Sequence, residues 1–265
     1  MKNISLDPPI ARGRTADVYD WDDGHILKLF HNWFPLEDIE YEWKIARAVH
    51  ASGVKSPAVG ELIQVDGRNG LIYERVAGEP MLTMFRRRLW LVFPYARMFA
   101  RLHAQMHESV FDADVPTLHG KLQYRIERLD RLPASLKTAL LDALRSQPEA
   151  DRVCHGDFHP ANLLIAGNDA NIIDWIDASR GNPLADVART SIILRGAVES
   201  GQVSLPFLKM FVKLFHSIYL REYFRVRPGG QAEYRRWLSI VAAARLDEGI
   251  KELEPWLLDQ AEKIA

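Results

Sequence analysis

Apolar residues alternate with polar ones, at a period of two, through much of the first third of the chain. Val18–Trp21 and Ile26–Phe30 flank Asp22-Asp-Gly24, which punctuates a hairpin. Glu61–Val65 and Leu71–Arg75 form a second hairpin around Asp66-Gly-Arg-Asn-Gly70. Between them the period lengthens to that of a helix. Leu36 to Ala51 carries an inward stripe of Ile39, Trp43, Ala46 and Val49, and Gly53 follows as a stop.

From Gly78 onward the pattern is mainly helical. Phe85 to Glu108 reads as one long stretch that Pro94 can kink or split, and a second lies near Arg125 to Ser146. The segments around Asp157 and Asp174 read as a two-strand island, with Asn168-Asp-Ala-Asn171 as the turn. Further helices are expected at Ala185–Leu194, Pro206–Phe224, Gln231–Glu248 and Glu254–Lys263. The expected architecture is α+β and two-lobed. A small antiparallel β lobe at residues 1–77 meets a larger helical lobe at 78–265, with a hinge near Glu74 to Gly78.

Composition narrows the functional classes. The 265 residues carry a formal net charge of −1, so no global field draws in nucleic acid or an anionic membrane. Cys154 is the single cysteine, which precludes an intrachain disulfide and fits a reducing compartment. Met1 to Pro9 has no apolar signal core, and the longest apolar stretch, Leu89 to Ala96, is too short to span a bilayer. The expectation is a soluble, cytoplasmic protein; its oligomeric state is not readable from the sequence.

The densest chemistry lies in His155-Gly-Asp157-Phe-His159-Pro-Ala-Asn162-Leu-Leu164, with Asp174 twelve residues beyond Asn162 inside Ile172-Ile-Asp-Trp175. Phosphoryl transfer asks a protein for charge neutralisation and alignment. Asp157 offers a carboxylate that can orient an acceptor hydroxyl and take its proton. Asn162 and Asp174 offer hard oxygen donors of the kind Mg²⁺ favours. A rival reading uses His155, Asp157 and His159 as a metal cluster of a phosphoesterase, with Asp23 and His25 as a second acid–histidine pair. Against it, no Gly-Asn-His follows downstream.

A transferase of this kind needs a cation for the nucleotide phosphates. Lys28 shares a strand face with Ile26 and Phe30, and a lysine so placed requires an anionic partner. Glu42 lies on the inward seam of the Leu36–Ala51 helix, with Glu40 as a second choice on a less apolar face. A 4 Å pair at an effective dielectric near 20 contributes on the order of 4 kcal/mol before desolvation. Gly13, Thr15 and Ala16 precede the first strand and are small enough for backbone N–H groups to approach phosphates, although only one glycine is present. Glu74 and Val76, at the hinge, are the candidates to meet a nucleobase through main-chain atoms.

Together, the His155–Asn162 string, Ile172–Trp175, Tyr73-Glu-Arg-Val-Ala-Gly78, Lys28 with Glu42 and Arg101-Leu-His-Ala-Gln-Met-His107 resemble the aminoglycoside phosphotransferase and choline kinase family. These are small-molecule kinases of the protein-kinase-like fold. The resemblance implies Asp157 as catalytic base, Mg²⁺ held by Asn162 and Asp174, and ATP as donor, with GTP open as a second one. It implies that Asp186 braces the catalytic loop from a helix start and that His103 and His107 support the same loop. Asp177 sits where some relatives carry a second acid near the metals.

The acceptor is a small-molecule hydroxyl, and the family does not name it. Glu222, Glu233, Asp247, Glu248, Glu252 and Glu254 could meet an aminoglycoside; Tyr219, Tyr223, Phe224, Trp237 and Trp256 could cage choline. A nucleotide-binding regulator without transfer activity is the other class that stays open.

Overall fold

The computed structural model describes residues 8–167 and 169–264. The chain divides into two compact units. One comprises Met1–Pro80 with Asn162–Ile176, the other Met81–Ala161 with Asp177–Ala265.

The first unit is built on a five-stranded antiparallel sheet. Strands β1 (Ala11–Arg12), β2 (Ala16–Asp22) and β3 (His25–Phe30) are followed by helix α1 (Leu36–Ala51), then β4 (Val59–Val65) and β5 (Arg68–Glu74), in the spatial order β1-β2-β3-β5-β4. Strand alternation gives the sheet two apolar faces. Leu27 and Leu29 pack with Tyr19 and Val65, while Phe30 on the other face packs with Ala16, Leu71 and Ile39 of α1. Lys28 belongs to the face that α1 covers. Helix α1 takes the bounds the pattern predicts. Glu37 and Asp38 in its first turn and His50 in its last suit the helix dipole, and Gly53 leaves it at φ +81°. Its buried stripe is Ile39, Glu42, Ile45, Ala46 and Val49, whereas Trp43 is half-buried and donates its indole N–H to the Gly60 carbonyl at 2.7 Å.

Strand β6 (Glu79–Pro80) and the hairpin of β8 (Leu163–Ala166) and β9 (Asp169–Ile172) form a three-stranded sheet in the order β6-β8-β9. The turn falls on Gly167, Asn168 lies outside the described residues, and Asp169 to Asn171 are already strand rather than turn. Gly78, at φ +142°, lets the chain enter β6. A Cβ there would lie 2.7 Å from the Ile165 carbonyl oxygen and 2.9 Å from its carbon.

The second unit is helical. It contains α2 (Met81–Arg87), α3 (Val92–Met106), α4 (Leu118–Glu127), α5 (Ala134–Ser146), the short strand pair β7 (Arg152–Cys154) and β10 (Ser179–Gly181), α6 (Pro183–Glu199), α7 (Pro206–Val226), α8 (Gln231–Arg245) and α9 (Glu254–Glu262). Two expected long helices are in fact broken. The Phe85–Glu108 stretch breaks at Arg88 before a 3-10 turn at Leu89–Leu91, so Pro94 sits in the first turn of α3, where its missing N–H costs nothing. The Arg125–Ser146 stretch breaks from Arg128 to Leu132, and Pro133 stands at the N-cap position of α5. The Asp157 segment is not a strand: it follows β7, which pairs with β10. The core of this unit is aromatic, with Phe99 of α3 against Phe158, Phe215 and Tyr219. Among the described residues, no helix is long and apolar enough to cross a membrane.

Replacing Gly78 with alanine combines a left-handed backbone with a backbone clash. The variant is expected to lose about 1–3 kcal/mol of stability, measured by urea unfolding at unchanged m-value.

Candidate active site

Asp186 organises the loop that carries Asp157. It sits in the first turn of α6, which Asn182 caps by accepting the Leu184 N–H at 2.9 Å. Its carboxylate is 1% exposed and accepts the backbone N–H groups of His155 at 2.7 Å and Gly156 at 2.9 Å. His103 and His107 reach the same carboxylate with their Nε2 atoms at 3.1 and 3.2 Å, one helical turn apart on α3. Their Nδ1 atoms each lie 2.8 Å from a tyrosine hydroxyl, Tyr219 for His103 and Tyr223 for His107. The arrangement is self-consistent when each tyrosine donates to Nδ1 and each Nε2–H donates to Asp186. Burial would raise the Asp186 carboxyl, but the hydrogen bonds from both histidines hold it well below the usual carboxylate range. Burial pushes His103 down to about 3, and it lowers His107 as well. The i, i+4 histidine pair braces the loop, as the sequence suggested.

The loop itself is tightly specified. Gly156 adopts φ +79°, and a Cβ there would lie 2.5 Å from the Asp177 carbonyl oxygen. The Asp157 N–H donates to His155 Nδ1 at 3.1 Å, and the His159 Nε2 atom stands 3.2 Å from the Asp157 carboxylate. Burial raises the Asp157 carboxyl, yet His159, Arg189 and His155 lower it to about 2. Arg189 of α6 donates from Nε to the Gly156 carbonyl at 2.9 Å and pairs with Glu248 at 2.6 Å.

In the first unit, Lys28 donates to Glu42 at 2.6 Å and stands 3.6 Å from Asp174. Glu42 is 2% exposed and also accepts the Tyr73 hydroxyl at 2.9 Å. Burial pulls the Lys28 ammonium down, and the Glu42 and Asp174 carboxylates more than compensate, leaving it raised and charged. Asp174 holds a left-handed conformation at φ +67°, rare for a residue with a side chain, and 45% of its side chain is exposed. The β8–β9 register places Leu163 opposite Ile172, and the Ile173 N–H donates to the Asn162 carbonyl at 3.0 Å. Asn162 and Asp174 therefore flank the same end of one hairpin.

The other expected contacts are placed less openly. The Gly13 N–H already donates to the Ala16 carbonyl at 2.8 Å. Ala16 lies in β2 with its methyl in the core, and the Thr15 carbonyl accepts the His31 N–H at 2.9 Å. The Glu74 N–H donates to Ala58 at 2.8 Å, and Val76 lies in the irregular stretch between β5 and β6. Sequence reasoning did not find Tyr73 as a partner of Glu42. It also missed Lys121, Arg125 and Arg245, which gather with Arg189 around Asp177 and Glu248 from well-separated helices.

Acidification is expected to weaken this brace. The histidines, with lowered folded values, support stability in full above their ordinary value of 6.5 and lose it as pH falls toward about 3. Unfolding free energy measured between pH 7 and 4 should fall, with a shallower slope in His107→Gln.

A comparison of the sequence with curated proteins finds no match. Solved structures do match. A choline/ethanolamine kinase family protein from Mesorhizobium loti superposes with a TM-score of 0.63 at 18% identity, covering 98% of this chain and 85% of that one. An amicoumacin kinase in complex with AMP-PNP, Ca²⁺ and Ami gives 0.62 at 15%, covering 98% and 89%. A Streptomyces rimosus aminoglycoside phosphotransferase in complex with ADP and streptomycin gives 0.55 at 16%, covering 86% and 90%. At these identities the likeness is one of fold, and the fold is protein-kinase-like, as expected. The profile described as "Phosphotransferase enzyme family" matches residues 8–223. The chain belongs to that family and is a small-molecule kinase.

Proposed function

We propose that the protein transfers the γ-phosphoryl group of ATP to a hydroxyl of a small molecule, with Asp157 as the base. The observation that carries this reading is the state of Asp157. It projects from a loop fixed by Asp186, and its carboxyl is held down near 2 by His159 and its other neighbours. Such a carboxylate is ionised throughout the physiological range. It is a weak base but a firm acceptor for a hydroxyl proton, which suits a reaction in which alignment counts for more than proton abstraction.

Asn162 and Asp174 would hold Mg²⁺. Their donor set, an amide oxygen and a carboxylate at one end of a hairpin, fits a hard cation that keeps part of its shell for phosphate and water. Bound there, the ion would neutralise charge on the transferred phosphoryl group. Lys28, held charged by Glu42, would bind nucleotide phosphate oxygens, and Tyr73 holds Glu42 in place. The turn at Gly13 to Ala16 would close over the phosphates, and the stretch from Glu74 to Val76 would meet the base. GTP is the alternative donor. We place the reaction in the cytoplasm.

The phosphoesterase reading has less support. His155 Nδ1 and His159 Nδ1 each face a backbone N–H, that of Asp157 and that of Ala161. Among the described residues, the histidine–acid cluster whose ligand atoms converge is the Asp186 brace, not this trio. The regulator reading has to account for an unbroken set of Lys28, Glu42, Asp157, Asn162 and Asp174.

Asp157→Asn is expected to lower kcat by about a thousandfold or more while nucleotide affinity stays within a few-fold. Turnover near that of the wild type in an ADP-release assay would refute the base. Asp174→Ala is expected to abolish the Mg²⁺ dependence of nucleotide binding by calorimetry; unchanged binding would remove it from the metal site.

A further inference from the structure

The peptide groups on either side of Gly156 are held by one helix. Asp186 accepts the Gly156 N–H at 2.9 Å, and Arg189, three residues further along α6, donates from Nε to the Gly156 carbonyl at 2.9 Å. That spacing puts both side chains on the same face of the helix. The two grips act on different peptide planes. The Gly156 N–H lies in the plane before Gly156. The Gly156 carbonyl lies in the next one, together with the Asp157 N–H, which donates to His155 Nδ1 at 3.1 Å. Asp186 therefore sets the chain as far as Gly156, and Arg189 holds the plane from which Asp157 departs. A glycine resists rotation of that plane only weakly, so the hydrogen bonds decide its direction.

Arg189 has to be placed in turn. Its side chain is 14% exposed, and Nη1 pairs with Glu248 at 2.6 Å. Burial pulls the guanidinium down, and Glu248, Asp157 and Asp177 more than offset this, so it stays charged. Arg245 and Arg125 approach the same Glu248 carboxylate at 3.4 and 3.6 Å. Were Glu248 neutral, Arg189 would be a buried cation among like charges, which is costly. Glu248 ends the 3-10 turn Leu246–Glu248 that follows α8, and Gly249 leaves that turn at φ +67°. The turn lies beyond residues 8–223, the span that matches the family profile. A segment outside that span thus reaches the loop that carries Asp157.

We propose that Arg189 and Glu248 are positioning residues for Asp157: Glu248 anchors one end of the guanidinium so that its Nε–H holds the Gly156 carbonyl, and with it the direction in which Asp157 leaves the loop. The task of Asp157 rests on the kinase reading above; the clamp does not. A planar fork is what the arrangement needs. Nε and Nη1 meet two acceptors at once, a carbonyl and a carboxylate, whereas a lysine ammonium is a point donor on a flexible stem. Arg189→Lys keeps the charge and loses one of the two contacts.

Amide hydrogen exchange, followed residue by residue with nitrogen-15 NMR, tests the clamp without a substrate. In Arg189→Gln the Asp157 amide should exchange at least about tenfold faster, the loss expected for one charged hydrogen bond, while the Gly156 amide, held by Asp186, keeps its rate. Arg189→Lys should behave as Arg189→Gln does. Glu248→Gln should move the Asp157 amide in the same direction, and the double variant should add little to Arg189→Gln. Should Arg189→Gln fail to fold, Glu248→Gln, whose side chain is 25% exposed, serves in its place. In an ADP-release assay with kanamycin, choline and homoserine as acceptors, Arg189→Gln should lower kcat about tenfold while KM for ATP stays within a few-fold. Equal acceleration of both amides, an Asp157 amide indifferent to the variants, or full rescue by lysine would overturn the proposal and reduce Arg189 and Glu248 to an ordinary buried pair. An unchanged kcat beside a labile Asp157 amide would overturn it too. A labile amide with no ADP from any acceptor would uphold the clamp and count against the kinase reading.

Discussion

The loop that carries Asp157 depends on a single buried carboxylate. Asp186 accepts two consecutive backbone N–H groups from His155 and Gly156, and two histidines complete its shell. A charge at that depth is tolerable only when every lone pair is answered. The four partners come from α3 and from the loop, and two tyrosines of α7 hold the histidines in turn. The result fixes the peptide one residue before Asp157. Gly156 then follows from the geometry, because its left-handed turn runs against the Asp177 backbone with no room for a side chain.

The same logic operates in the sheet-bearing unit with opposite sign. There the buried cation is Lys28, and Glu42 and Asp174 answer it. Glu42 reaches it because the period of α1 brings the glutamate onto the face that also buries Ile39 and Ile45. Asp174 reaches it because the chain leaves β9 into a left-handed turn. In each unit a buried charge, once answered, holds the groups around it in one geometry.

Much of this was legible in the sequence, and the reason is proximity. Asp157, Asn162 and Asp174 lie in one short segment, where spacing alone carries information. Lys28 and Glu42 were readable because period-2 and period-3.6 patterns each name a face. The bounds of α1 came out as expected since a proline, two acids and a glycine mark its ends. The breaks before Leu89 and Pro133 were missed because helical periodicity runs through them on either side. The cationic cluster around Glu248 and Asp177 was illegible for a different reason. Lys121, Arg125, Arg189 and Arg245 sit on three helices, each looking like an ordinary solvated charge until packing gathers the arginines at Glu248 and the lysine at the Asp177 and Ala178 carbonyls. The turn at Gly13 to Ala16 was readable only as small residues; that the Gly13 N–H is used within the turn is a fact of geometry.

Phosphorus-31 NMR on the purified protein with ATP, Mg²⁺ and a panel of hydroxylated small molecules bears most directly on whether Asp157 aligns an acceptor hydroxyl for transfer. A phosphomonoester resonance growing in step with ADP, and absent in Asp157→Asn, is the expected result. ADP accompanied only by inorganic phosphate across the whole panel, or an ester resonance that persists in Asp157→Asn, would contradict it.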